Sequence, residues 1–174
     1  MSPVVFLDRD GVINYDYGYI SKVEDFKIIP GVFDALKRLQ MIGFKLIIFT
    51  NQSGIGRGII TNEGYDEVNE YMKSTFKKNK INILEVFHCP HLPKDNCKCR
   101  KPKPGMIQLA MKKFEIDVNR SIVIGDKPTD IQAGIAAGIS KNFLISDLFL
   151  LNNPKIKVNN EIAKNTVNPV YFKK

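Results

Sequence analysis

Three short apolar runs in this chain each stop on an oxygen-bearing side chain: 4–7 on Asp8, 46–49 on Thr50 and 122–125 on Asp126. Runs of this length, rich in Val and Ile with no polar alternation, read as strands buried on both faces. Helical periodicity fills the spaces between them. Pro30-Gly31 opens a predicted helix over 32–42, with Val32, Ala35, Leu36, Leu39 and Ile42 on one stripe and Gly43 after its end. Thr61 is placed to N-cap a helix running to about residue 78, with Tyr65, Val68, Met72 and Phe76 inward. A further helix is expected over 104–114, with Met106, Leu109 and Ala110 as core, and a short one over 130–137, stopped by Gly138. Strands are expected at 83–87 and 142–145 as well. This alternation predicts an α/β fold: a three-layer, Rossmann-like, mostly parallel sheet with helices on both faces, in a single domain spanning 1–174. Ligands of such sheets sit beyond the carboxyl ends of the strands, near a topological switch point. Residues more than a hundred positions apart would therefore meet on one rim.

The first of those strand ends reads Asp8-Arg9-Asp10-Gly11. Two carboxylates flanking one residue crowd negative charge, and a hard, oxygen-seeking cation such as Mg²⁺ neutralises it. An Asp-Gly turn after a core strand is the simpler alternative for these residues alone. Segment 12–29 holds no helical period and reads as a loop or small flap, with Tyr15, Tyr17 and Tyr19 alternating around Asp16 and Gly18. After the second strand, 52–58 is a loop with glycines at 54, 56 and 58, whose spacing matches neither the dinucleotide fingerprint nor the P-loop.

An Asp nucleophile, a second Asp two residues on, a hydroxyl and a third Asp around Mg²⁺ suit phosphoryl transfer. Asp8 would attack phosphorus in line and form an aspartyl phosphate. Asp10 would protonate the leaving alkoxide and then deprotonate water, while Thr50 and a lysine hold the transferring oxygens.

All three cysteines and both histidines lie between His88 and Cys99. Cys89-Pro90-His91 and Cys97-Lys98-Cys99 form two pairs of ligands, each with one residue between them. Thiolates and imidazole in tetrahedral number suit a structural Zn²⁺ with no open position. The loop 88–102 is thus expected to be a zinc clip that fixes where Arg100 and Lys101 point, with His88 left over as a packing or hydrogen-bonding residue.

At this point the chain resembles the haloacid dehalogenase superfamily of phosphatases. Asp8-Arg9-Asp10-Gly11-Val12 matches its first motif, Thr50-Asn51 its second, Lys101 its third, and Gly125-Asp126-Lys127 with nearby Asp130 its fourth. The resemblance implies Asp8 as nucleophile, Asp10 as acid/base, Thr50 and Lys101 as phosphate stabilisers, and Mg²⁺ on Asp8, the Asp10 main-chain carbonyl and Asp126. Asp130 stays open between a supporting carboxylate and an acid favoured in the first turn of a helix.

The Cys/His pattern followed by Arg100-Lys101-Pro102 is similar to two groups within that superfamily, the heptose-1,7-bisphosphate 7-phosphatases and the histidinol-phosphate phosphatases. Residues 16–19, 50–58 and 100–106 look like the heptose group, whereas the short 89–99 loop and Cys89-Pro90-His91-Leu92-Pro93 look like the histidinol group. The first set bears more directly on substrate. By that resemblance Asp16, Tyr17, Gly18, Tyr19, Asn51, Gln52 and Ser53 line the substrate with Thr50, and Arg100 and Lys127 hold its phosphates. Glycine-flanked Arg57 is a further cation for a distal phosphate.

Cations exceed acids by 8, which favours an anionic partner. The excess is dispersed, so a small phosphorylated sugar is expected rather than nucleic acid, although removal of 3′-phosphates from DNA would also fit the charge. An inert, zinc-clipped binding protein would leave the Asp8, Asp10 and Asp126 set without purpose. The segments after Asp10 and Thr50 are too short for a substantial cap domain. No apolar run approaches the roughly 18–20 residues of a membrane span, and the first residues lack the pattern of a signal peptide. The expectation is a cytoplasmic, monomeric enzyme of nucleotide-activated heptose (lipopolysaccharide precursor) synthesis. In the asparagine- and lysine-rich tail 146–174, a docked helical turn is expected at 148–151.

Overall fold

A computed structural model describes residues 1–145; the tail and its expected turn at 148–151 lie outside them. Five parallel strands, β1 (Val4–Leu7), β2 (Lys45–Asn51), β3 (Ile83–Cys89), β4 (Ile122–Gly125) and β5 (Lys141–Leu144), form one sheet in the order β3-β2-β1-β4-β5. The chain winds outward on one side of β1 and then crosses to the other, so the switch point lies between β1 and β4.

Alternate residues of each inner strand serve opposite layers, as the two-residue period of a strand requires. Val5, Leu7, Leu46 and Ile48 pack with Leu36 of α1 (Val32–Met41) and with Val68, Met72 and Phe76 of α3 (Asn62–Lys78). Val4, Phe6, Ile47 and Phe49 pack with Met106, Ile107 and Ala110 of α4 (Gly105–Lys113) and Ala133 of α5 (Pro128–Ala136). The three layers are those read from the sequence, and the Thr61 cap is formed, its side chain accepting the Gly64 N–H at 3.0 Å.

Several local expectations are corrected. The loop after β2 contains a helical turn, α2 (Ser53–Gly56), because Arg57 N–H bonds back to the Ser53 carbonyl despite the glycines. Leu109 is 50% exposed: the buried face of α4 is centred on Met106, Ile107 and Ala110 and leaves Leu109 outside it. Ile42, 68% exposed, lies one residue past the end of α1. Helix α5 starts at Pro128, a residue suited to a first turn because its missing N–H has no intrahelical partner there. Strand β3 runs on to Cys89, and β5 is shifted back by one residue. Segment 12–29 is a flap with a short 3-10 turn at Val23–Asp25, anchored by Val12, Ile13, Ile20 and Phe26 in the core. Among the described residues no helix is long and apolar enough to cross a membrane.

Candidate active site

The carboxyl ends of β1, β2 and β4 bring Asp8, Thr50 and Asp126 to one rim. Carboxylate oxygens of Asp8, Asp126 and Asp130 lie within 4.8 Å of one another. Two glycines allow this crowding. A Cβ on Gly11, whose φ of +84° already disfavours other residues, would run into the Asp126 carboxylate, and one on Gly125 would run into the Asp130 side chain.

Lys101 is the cation at the centre. Its buried Nζ lies 2.9 Å from Asp8 Oδ1 and 2.6 Å from Asp130 Oδ1, and it donates to the Phe49 carbonyl at 3.0 Å. The Phe49 contact is a hydrogen bond, whereas the two carboxylate contacts are ion pairs, and Asp130 Oδ1 accepts no hydrogen bond from the described residues. Its main chain is clamped by Asn51, whose Nδ2 donates to the Lys101 carbonyl at 3.2 Å and whose Oδ1 accepts the Lys101 N–H at 3.1 Å. The two readings left open for Asp130 both hold. Its Oδ2 caps α5 by accepting the Lys127 N–H at 2.9 Å, while its Oδ1 faces Lys101.

Asp8 Oδ1 accepts the Arg9 N–H at 2.7 Å as well as facing Lys101; Oδ2 takes neither bond. Burial pushes the Asp8 carboxyl up to about 7; Lys101 holds it down, and Asp130 and Asp126 push it further up. Asp126 is raised too, by burial and Asp130 against the pull of Lys127 and Lys101. Among the described residues its buried Oδ1 has no protein donor, so a lone pair there is available to a cation.

The expected substrate-facing residues divide. Asn51 is engaged with Lys101, and Gln52 donates to Asp10 and Thr50. Asp16 and Lys127 pair with each other at 2.9 Å across the mouth of the site, and Lys127 also lies 3.9 Å from Asp126. Desolvation alone would raise the Asp16 carboxyl, but the Lys127 and Gly18 hydrogen bonds hold it below its usual range; the same acids keep the Lys127 ammonium charged against its own burial. Tyr15 and Tyr17 stack in solvent at 5.9 Å between centroids, and Tyr19 lies over Gly54 of α2. Ser53 opens α2, and Arg57 follows its end. Arg100 turns back to donate to the His91 carbonyl at 3.2 Å.

Cys89, His91, Cys97 and Cys99 converge. Sulfur–sulfur separations run from 3.2 to 3.6 Å, and His91 Nδ1 lies 3.3 and 3.6 Å from two of the sulfurs. Tetrahedral Zn–S bonds of about 2.3 Å imply sulfurs about 3.8 Å apart, so this cluster is near the right size and far too open for a disulfide. Its backbone is tied to the rim: the Cys89 carbonyl accepts from Gln52 N–H at 2.7 Å and the Pro90 carbonyl from Gly56 N–H at 3.0 Å. His88 stands outside it, its ring 4.2 Å from that of Tyr65.

Two residues escaped the sequence reading. Arg9, between the two acids, is buried beneath the rim and forms an ion pair with Asp10 at 3.0 Å. Asn14 donates to the same carboxylate at 2.9 Å. The available signal was an arginine one position beyond a strand with no exposed residue.

Comparison with known proteins follows the same lines. The family model of haloacid dehalogenase-like hydrolases matches residues 3–138. The D-glycero-alpha-D-manno-heptose-1,7-bisphosphate 7-phosphatase of Photorhabdus laumondii is 44% identical over 149 residues, 82% of this chain and 81% of that protein. The D-glycero-beta-D-manno-heptose-1,7-bisphosphate 7-phosphatase of Escherichia coli is 39% identical over 150 residues, 82% of this chain and 78% of that one. Among solved structures, the D,D-heptose 1,7-bisphosphate phosphatase of B. bronchiseptica, complexed with magnesium and phosphate, superposes with a TM-score of 0.76 at 31% identity, covering 82% of this chain and 79% of that one.

Proposed function

The chain belongs to the haloacid dehalogenase-like hydrolase family, and on that premise we propose that it hydrolyses the 7-phosphate of D-glycero-D-manno-heptose 1,7-bisphosphate through an aspartyl phosphate on Asp8. The observation that carries the chemistry is the gathering of Asp8, Asp126, Asp130 and Lys101 at one rim from three separate segments. The substrate follows from the names of relatives that share about two-fifths of its residues.

In this reading Asp8 Oδ2 attacks phosphorus, since Oδ1 is pinned by Lys101 and the Arg9 N–H. Thr50 Oγ1 accepts from Gln52 at 2.9 Å, which leaves its own hydrogen to donate to a phosphoryl oxygen. Asp10 gives a proton to the departing sugar oxygen and takes one from the water that cleaves the acyl phosphate. Asp16, Tyr17, Gly18, Tyr19 and Ser53 face the sugar, and Arg100 and Lys127 hold its phosphates, Lys127 exchanging Asp16 for the incoming anion. Asp8, Asp126 with its unpartnered Oδ1, and the Asp10 carbonyl would hold Mg²⁺, which when bound neutralises phosphate charge. Cys89, His91, Cys97 and Cys99 would hold Zn²⁺.

The test is phosphate release from both anomers of heptose 1,7-bisphosphate, histidinol phosphate and a 3′-phosphorylated oligonucleotide. We expect one heptose anomer to give the highest kcat/KM; histidinol phosphate or the oligonucleotide ahead of both would overturn the assignment.

Removing zinc should loosen residues 89–101, and through the Cys89–Gln52 and Pro90–Gly56 bonds it should reach the rim. The expected result is faster hydrogen exchange across that loop and a fall in kcat of roughly 10–100-fold at saturating Mg²⁺, restored by zinc. Full activity in protein verified as zinc-free would reject the clip as a determinant of the site.

A further inference from the structure

Asp10 is held by more donors than any other acid on the rim. Its Oδ1 accepts from Arg9 Nε at 3.2 Å, Arg9 Nη2 at 3.1 Å and Asn14 Nδ2 at 2.9 Å; its Oδ2 accepts from Arg9 Nη2 at 3.0 Å and Gln52 Nε2 at 2.8 Å. Arg9 is itself fixed, 1% exposed, with its guanidinium 6.0 Å from the Phe26 ring centroid and 5.9 Å from that of Tyr65.

Gln52 is the member of this cradle that reaches in from another strand. It is 4% exposed, its N–H is tied to the Cys89 carbonyl at 2.7 Å, and its amide nitrogen donates to both Asp10 Oδ2 and Thr50 Oγ1. A carboxamide nitrogen has two hydrogens, and both are committed inside the protein. The opposite amide orientation would set its oxygen against a carboxylate, so the nitrogen end is the one that faces Asp10. Its place beside Thr50 in the sequence suggested a substrate contact, but the side chain has no N–H left to offer a sugar.

We propose that Gln52 is a positioning residue for the acid/base Asp10, completing the cradle begun by Arg9 and Asn14. This rests on the reading of Asp10 as the proton donor. A carboxyl group donates efficiently only from within hydrogen-bond reach of the leaving oxygen, and a side chain free to rotate loses much of that advantage. Gln52 fixes Oδ2 in relation to Thr50, which holds the phosphoryl group. The angle of the donor is thereby set against the group being transferred.

The leaving group provides the test. An alkoxide needs the proton as the P–O bond breaks, whereas p-nitrophenolate departs without one. For Gln52→Met we expect kcat/KM on the sugar phosphate to fall roughly 10–50-fold, kcat carrying the loss, and on p-nitrophenyl phosphate less than about threefold. Equal losses on the two substrates, or a loss confined to KM, would overturn the proposal in favour of a general packing role or a sugar contact. If Gln52→Met does not fold, Gln52→Glu preserves shape, sets a carboxylate against Asp10 and should show the same bias towards the sugar phosphate; an unbiased loss overturns the proposal equally. Asp10→Asn, assayed alongside, separates the two levels. Undiminished sugar-phosphate turnover in that variant would remove the acid/base reading itself, while an inactive Asp10→Asn beside an unaffected Gln52→Met would remove only the role of Gln52.

Discussion

Asp8→Asn is expected to lower phosphate release by at least about 10⁴-fold while leaving the fold no less stable than the parent. The loss follows because an amide is a poor nucleophile and Asp10, the other carboxylate at the end of β1, is tied to Arg9, Asn14 and Gln52. The stability follows from charge. Asp8, Asp126 and Asp130 crowd their oxygens within 4.8 Å, and Lys101 is the one buried ammonium that the described residues place among them. Burial raises the Asp8 carboxyl from 3.8 to about 7, so between those values the folded protein binds more protons than the unfolded chain. Stability in chelator should therefore fall as pH rises through that window. Asparagine has no charge to suppress. The melting temperature of Asp8→Asn relative to the parent, measured in EDTA, should thus rise from about pH 5 to about pH 8. A variant that turns over would end the nucleophile assignment, and an advantage that shrinks with pH would mean that acid crowding is not what burdens the empty rim.

The rim was legible in the sequence because a parallel sheet converts strand ends into neighbours. Three apolar runs ending on Asp8, Thr50 and Asp126 predict a common rim, and the three residues do meet on one. The zinc-type cluster was legible for a different reason: the thiols and imidazoles are confined to one short stretch, and ligand spacing is local information. What the sequence hid was the internal use of polar side chains. Asn51 and Gln52 sit beside Thr50 in the chain and were read as facing the same ligand, yet a residue at a strand's end can turn either outward or into the protein. Asn51 clamps the Lys101 backbone and Gln52 reaches Asp10. Both contacts depend on a partner some 40 to 50 positions away, and no periodicity reports such a distance. Arg9 was passed over because arginine is seldom buried. Here an adjacent carboxylate and two aromatic rings receive it. The surface errors, Leu109 and Ile42, arise where a helix is short or ending and a stripe of two or three residues defines its face poorly.

Lys101→Met should combine a loss in kcat of roughly 10²–10³-fold with a loss of stability of about 3–5 kcal/mol near neutral pH. The two effects come from the same geometry. In the resting protein the ammonium is divided among Asp8, Asp130 and the Phe49 carbonyl. In the proposed mechanism Asp8 becomes an acyl phosphate, its charge passes to the phosphoryl oxygens, and the ammonium paired with Asp8 is placed to follow it. Binding of the substrate precedes that transfer, so KM should move less than kcat. Methionine fills much of the same volume but leaves two buried acids with no cation between them. Asp8, whose carboxyl burial already raises to about 7, can take up a proton instead, so the stability deficit should narrow as pH is lowered towards about 5. Arginine should not rescue either property: the three acceptors surround a point charge, whereas a guanidinium presents its donors in a plane and needs more room than a 2.6 Å contact to Asp130 allows. Denaturant titrations of Lys101→Met at the two pH values, beside steady-state kinetics, check both halves. A deficit that does not narrow on acidification would show that Asp8 stays ionised without Lys101, and the electrostatic account of the rim would then have to be abandoned.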